Sequence, residues 1–288
     1  YFGAKDEEMV SKSIHTAIML SIVGGIAIMI LGLAFSEPLL VAIGTPEDIL
    51  PMAVTYMHIY FLGSVAIVMY NMGAGIFRAF GDSRRPFYFL LVGCLTNIVL
   101  DILLVGFTDL GVAGAAIATV ISQVVSVVMV LYVLRKKTDC TKLYFRRIRF
   151  TRSILRNMLL IGFPAGIQSI MYTISNLIIQ SAINGFGTDT AAAWAAYSKV
   201  DQIFWMFINA FGIALTTFVG QNYGAGRPER AKKGVRTCTA ISAAGTFVIE
   251  ALFLLIGTEI LRLFTTDAAV LDIGHAIIVC IVPWYISY

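Results

Sequence analysis

The sequence predicts an all-α integral membrane protein: a polytopic helical bundle of about eight spans, an incomplete pair of parallel, pseudo-symmetric six-helix lobes. Three observations predict it. Hydrophobic residues make up 58% of the chain and charged residues 13%, against about 25% charged in a soluble domain. A chain of 288 residues with so little charge has no water-facing coat. Its apolar residues fall in blocks of about 20 or more, long enough to cross hydrocarbon, where only internally bonded helices satisfy the backbone. The opening of the chain also recurs near its end.

The blocks place spans at 14–35, 50–76, 86–107, 111–134, 157–184, 190–219, 234–257 and 268 to the end. Thr45-Pro46-Glu47-Asp48 is expected to cap the second span, and Thr188 or Asp189 the sixth. Pro86 follows Gly81-Asp82-Ser83-Arg84-Arg85 and belongs in the first turn of the third span, where its missing N–H is harmless. A short hairpin at 107–111 leads into the fourth span, whose Gly111, Gly114, Ala115 and Ala118 suit close helix packing. In the fifth span, Gly162, Pro164 and Gly166 read either as a hinge, since proline removes a helix hydrogen bond, or as the same close packing.

Lys and Arg fix the orientation. Of 21 basic residues, all but Lys199 and Arg262 fall in one alternating set of loops, at 5–12, 78–85, 135–156 and 227–236. The positive-inside rule makes those loops cytoplasmic. It also accounts for the basic 135–156 segment without nucleic acid.

Shifted by 221, the start of the chain lies on its end without a gap: Gly3, Ala4, Glu8, Lys12 and Thr16 meet Gly224, Ala225, Glu229, Lys233 and Thr237. The first span falls on the seventh, an even number of spans later, so the repeats are parallel. The implied organisation is a remainder of an amino lobe at 1–138, a basic cytoplasmic linker at 139–156 and part of a carboxyl lobe at 157–288. A full repeat would add about two spans before Tyr1 and two to three after Tyr288, giving about twelve.

Ionisable groups in mid-membrane are functional candidates, because lipid makes them costly. Asp101 lies deep in the third span, one turn from Asn97, and Thr119 is on the next span. A carboxylate, an amide oxygen and a hydroxyl suit Na⁺, or a proton held on a desolvated acid; the competing reading is polar glue between spans. In the sixth span Asp201 shares a stripe with Trp194, Tyr197 and Trp205, an acid among aromatic faces that suits a hydrophobic cation. Trp and Tyr also mark membrane interfaces, which is the alternative. Lys199 and Asp201 point to nearly opposite sides and are no simple ion pair. Glu250 is mid-span, where its repeat partner is Met29, either a feature particular to the carboxyl lobe or a structural acid. His15, His58 and His275 share no ligand spacing, so no metal is expected beyond a possible Na⁺ at Asn97 and Asp101, and no cofactor.

Three segments resemble the MATE family of multidrug efflux transporters. Val219-Gly220-Gln221-Asn222-Tyr223-Gly224-Ala225 with Arg230 is similar to its V-G-Q-N-x-G-A element. Arg78 to Pro86 resembles its R-x-x-G-D-x-x-x-P turn, and Gly162-Phe163-Pro164 with Gln168 the opening of its seventh helix. The resemblance covers the whole chain as family helices three to ten, nearest the bacterial DinF-like members. It implies an antiporter expelling small cationic amphipathic drugs in exchange for H⁺ or Na⁺, a monomer in the bacterial inner membrane and not an enzyme. It further implies a cation or proton site at Asn97, Asp101 and Thr119, and Gln168 as a substrate contact. A lipid or glycolipid flippase of related architecture is the alternative. Such a cavity would need many Lys and Arg, and Lys199 alone lies inside a span.

Overall fold

The computed structural model describes residues 1–287, and Tyr288 lies outside the described residues. Every element among them is helical. Contacts divide the chain into two units, Tyr1–Leu159 and Leu160–Tyr288.

The first unit holds α1 (Glu7–Ala42), α2 (Leu50–Leu62), α3 (Ser64–Ala79), α4 (Arg84–Gly106), α5 (Gly111–Lys136) and a 3-10 turn at Phe145–Arg147. Helix α1 packs on α2 and α3, both of these pack on α5, and α4 lies along α5. The core is Ile14 and Ile18 of α1, Phe77 of α3, Val130 and Leu134 of α5, and Leu143 from the segment after α5. In lipid, close packing rather than water exclusion drives helices together, so small residues matter. At Gly25 a Cβ would stand 2.6 Å from the Cα of Val65, so α1 and the start of α3 meet backbone to backbone.

In the second unit α6 (Arg152–Asn184), which starts within the first, is followed by α7 (Thr188–Gly224), α8 (Pro228–Leu261), α9 (Ala268–Ile281) and a 3-10 turn at Val282–Ser287. Helix α7 packs on α8 and α9, and α8 on α9 and the 3-10 turn. Phe204, Val200, Leu261, Ile278 and Val282 form the core. Large apolar side chains elsewhere point outward, Ile161 76% and Leu255 80% exposed, as suits a surface solvated by lipid.

Seven of the described helices are long and apolar enough to cross a membrane, and the α2–α3 pair makes an eighth candidate. The expected second span at 50–76 is not one straight helix: it breaks at Gly63 and bends by 46°. Gly63 N–H bonds back to Tyr60 O at 3.0 Å, tightening the last turn. A Cβ there would stand 2.6 Å from Val120 Cγ2, so α5 crowds the break. Neither expected cap forms. Helix α2 has Ile49 at its N-cap and Pro51 in its first turn, and α7 has Gly187 at its N-cap with φ 104, a conformation open to glycine. Pro86 does sit in the first turn of α4. Gly111, expected in a packing face, instead takes φ 49 at the start of α5 with nothing within 4 Å of a Cβ. Gly114 does pack, its Cβ position 3.0 Å from Leu104 O.

The helix starts keep the spacing of the repeat. Helix α1 begins at Glu7 and α8 at Pro228, which differ by the 221 read from the sequence (228 − 7). Glu8 pairs with Lys12, whereas Glu229 takes Lys232 at 2.9 Å rather than the repeat partner Lys233. Such exposed pairs contribute little, about 0–1 kcal/mol.

Candidate functional sites, one in each unit

In the first unit the turn after Gly106 folds α5 back along α4, which brings Thr119 beside Asn97 and Asp101. Asn97 and Asp101 are one helical turn apart on α4. With the Asn97 amide turned to satisfy both neighbours, its nitrogen donates to Asp101 Oδ2 at 3.3 Å and its oxygen accepts from Thr119 N at 3.3 Å. The amide orientation is assigned from this network. Thr119 Oγ1 donates to Ala115 O at 3.0 Å, a local bond that keeps the hydroxyl on α5. Asp101 Oδ1 is buried and has no hydrogen-bond partner among the described residues. A buried acceptor without a donor is costly, and a proton or a hard cation would satisfy it. The three expected residues therefore stand together, with an unsatisfied oxygen among them.

In the second unit the aromatic stripe of α7 closes on Asp201. Trp205 Nε1 donates to Asp201 Oδ2 at 3.0 Å, and Tyr285 of the 3-10 turn donates its hydroxyl to Oδ1. Both carboxyl oxygens accept, the arrangement of a carboxylate. The Tyr285 hydroxyl also lies 2.9 Å from that of Tyr197. Phe204 stacks on the Tyr285 ring with centroids 3.9 Å apart, and Trp194 lies 5.4 Å from Tyr197. Lys199 is exposed and points elsewhere. Glu250, 7% exposed, accepts the backbone N–H of Ile286 at 2.8 Å. It thus ties α8 to the 3-10 turn that carries Tyr285.

Gln168, Gly162 and Pro164 are exposed on α6, which runs unbroken as a helix through Pro164. The α6 residue that meets the cluster is Tyr172, edge-on to Trp205 at 5.6 Å. Sequence reasoning missed Tyr285. Its signal was the Pro283 that follows α9, since proline closing a helix leads into a turn that can aim a side chain inward. Among the described residues no group of three or more His, Cys, Asp or Glu side chains is placed to hold a metal.

Fold and placement define a multi-pass helical membrane protein of two contact units, with polar clusters inside its helices. The family model MatE matches residues 1–103 and 164–288. The chain belongs to the MatE family of transporters. It is 28% identical over its whole length to the probable multidrug resistance protein YoeA of Bacillus subtilis, covering 64% of that protein. It is 26% identical to the multidrug export protein MepA of Staphylococcus aureus, over 96% of the chain and 61% of MepA. The FAD transporter of Shewanella oneidensis is 26% identical over 94% of the chain and 61% of its own length. The chain thus spans under two thirds of these relatives. Among solved structures, an outward-facing multidrug resistance MATE family transporter of the MOP superfamily superposes with a TM-score of 0.90 at 24% identity, over 99% of this chain and 64% of its own. A MOP superfamily transporter from Pyrococcus furiosus gives 0.89 at 23%, over 99% and 64%. At that identity the likeness is one of fold.

Proposed function

We propose that the protein is a secondary active antiporter that exports small cationic, amphipathic compounds in exchange for H⁺ or Na⁺ by alternating access. On this reading it is a monomer of the bacterial inner membrane, with no cofactor and no enzymatic step. The observation that carries the proposal is the buried, unpartnered Oδ1 of Asp101 beside Asn97 and Thr119. An acid in that state changes its interactions most when a cation arrives or leaves, and such a difference between states is what coupling needs. YoeA and MepA, multidrug proteins by name, favour a drug cargo. The FAD transporter widens the range to anions, yet within the apolar stretches of the described helices the buried or half-buried charged side chains are the acids Glu250, Asp101 and Asp201, while the half-buried Lys12, Arg78, Lys137 and Lys142 lie at helix ends or in the linker. Acids favour a cation. On the carboxyl side, Trp194, Tyr197 and Trp205 around Asp201 supply aromatic faces for that cargo. Because Trp205 and Tyr285 occupy both Asp201 oxygens, cargo would have to displace one of them.

The test is efflux of ethidium from vesicles holding the full-length protein, with and without Asp101→Asn, under imposed H⁺ or Na⁺ gradients. Gradient-driven efflux abolished by the substitution supports the proposal and identifies the ion. Efflux that survives it moves coupling to Asp201 or Glu250. No efflux under either gradient favours the flippase.

A further inference from the structure

Outside the two clusters, one buried imidazole has both ring nitrogens held by backbone groups. His15 of α1 is 3% exposed, with Nδ1 2.6 Å from Ser11 O and Nε2 3.0 Å from Tyr144 N. A backbone N–H can only donate, so Nε2 is the acceptor and the ring proton sits on Nδ1, which donates to Ser11 O. The ring is therefore neutral and in one tautomer. Its neighbour Thr16 accepts from Thr151 N at 3.1 Å and lies 3.5 Å from Arg149 O. Two adjacent residues of α1 thus hold both ends of the 144–151 segment, which runs directly into α6.

We propose that His15 is a pH-operated latch: its neutral ring binds the inter-lobe linker to α1, and protonation at Nε2 releases it. Once Nε2 carries a proton, it and the Tyr144 N–H are two donors face to face, so latch and protonation exclude each other. Imidazole is the side chain whose ordinary titration falls between about pH 5 and 8. The ring lines a polar cavity of about 750 Å³, open enough to bring water to it.

The charged groups facing His15 come from two elements. Helix α1 supplies Glu7, Glu8 and Lys12, and Glu8 is already paired with Lys12. The linker supplies Asp139, Arg146, Arg147 and Arg149, none of the three arginines in an ion pair among the described residues. Those arginines repel a charged His15 and so assist release, while Glu7 and Asp139 oppose it. Cys140, also at the cavity, has its thiol pushed up by burial and stays uncharged. Hydrogen bonds from Thr141 hold the Asp139 carboxyl below its usual range, so Asp139 keeps its charge on mild acidification. Loosening at milder acidity therefore belongs to His15.

The experiment is hydrogen exchange, corrected for intrinsic rates, on the full-length protein in lipid nanodiscs at about pH 7.5 and 5.5. Protection of the Tyr144 amide should fall about five- to tenfold on acidification, the loss of one hydrogen bond, while mid-α5 amides hold. His15→Gln keeps a neutral carbonyl acceptor and should make that protection insensitive to pH. Constant protection in the wild type, or a full pH response in His15→Gln, overturns the proposal. Imidazole ¹⁵N shifts give a second reading that needs no variant: at the higher pH the Nδ1–H tautomer is expected, and the Nε2–H tautomer would sink the idea.

Discussion

A double-mutant cycle on Asp201 and Tyr285 tests whether the carboxyl cluster is held as the structure has it. Tyr285→Phe removes a hydroxyl but keeps the ring that stacks on Phe204 at 3.9 Å, so packing is conserved. Asp201→Asn keeps shape and an acceptor oxygen but loses the charge. A hydrogen bond to a charged group contributes about 1.5–3 kcal/mol, and one between neutral groups about 0.5–1.5. The hydroxyl should therefore be worth about 1 kcal/mol more opposite Asp than opposite Asn. The Tyr285 to Tyr197 bond at 2.9 Å is lost in both Phe backgrounds and cancels. Stability is read by denaturing titration of the four proteins in mixed micelles. Independent sites add within about 0.3–0.5 kcal/mol. A coupling inside that band would mean that Asp201 and Tyr285 do not share a charge-assisted bond.

Two other substitutions probe the frame. Gly25→Ala puts a Cβ 2.6 Å from the Cα of Val65, a backbone atom that no rotamer change can move. Overpacking of about 1–3 kcal/mol should exceed the roughly 0.5–1 kcal/mol that alanine contributes to a helix. A lower thermal midpoint is expected, and Gly24→Ala, with nothing within 4 Å, should raise it. Equal shifts at both positions would contradict the close α1–α3 contact. Glu250→Gln keeps an oxygen for Ile286 N–H and should be nearly neutral. Glu250→Leu strands that donor at a cost of about 1–3 kcal/mol, measured by the same titration; equal stability of the two variants would refute the tie.

The apolar spans and the amino-side cluster were legible in the sequence because they rest on local spacing. Asn97 and Asp101 are a helical turn apart, and a hairpin as short as 107–111 leaves Thr119 little choice of neighbour. Span ends were less legible. The block at 14–35 lies within a helix running from Glu7 to Ala42, since a helix continues past its apolar stretch while its own hydrogen bonds are satisfied. The break at Gly63 depends on Val120, from another helix, and no periodicity records that. His15 read as a scattered histidine because its partner is a backbone N–H at Tyr144, 129 residues away. Backbone donors have no sequence signature. Tyr285 was missed because its role is set by the turn that follows α9.

The repeat explains why the carboxyl cluster lies where it does. In both copies the helix after the long one departs from a single α-helix: in the first it breaks and bends at Gly63, and in the second the α-helix passes into a 3-10 turn at Val282. In the first copy the break is held by close approach, with Gly25 of α1 against the backbone of Val65. Shifting by 221 puts Thr246 where Gly25 stands and Ile286 where Val65 stands. The threonine side chain, buried at 3% exposure, rules out the same backbone contact. A longer reach is then required, and it is made by Glu250, the counterpart of Met29, bonding Ile286 N at 2.8 Å. The same shift puts Tyr285 in the place of Ser64, where a hydroxyl on a ring extends far enough to meet Asp201. One copy thus holds its break by packing, which titrates with nothing. The other holds its 3-10 turn through two acids, Glu250 on Ile286 N and Asp201 on the Tyr285 hydroxyl.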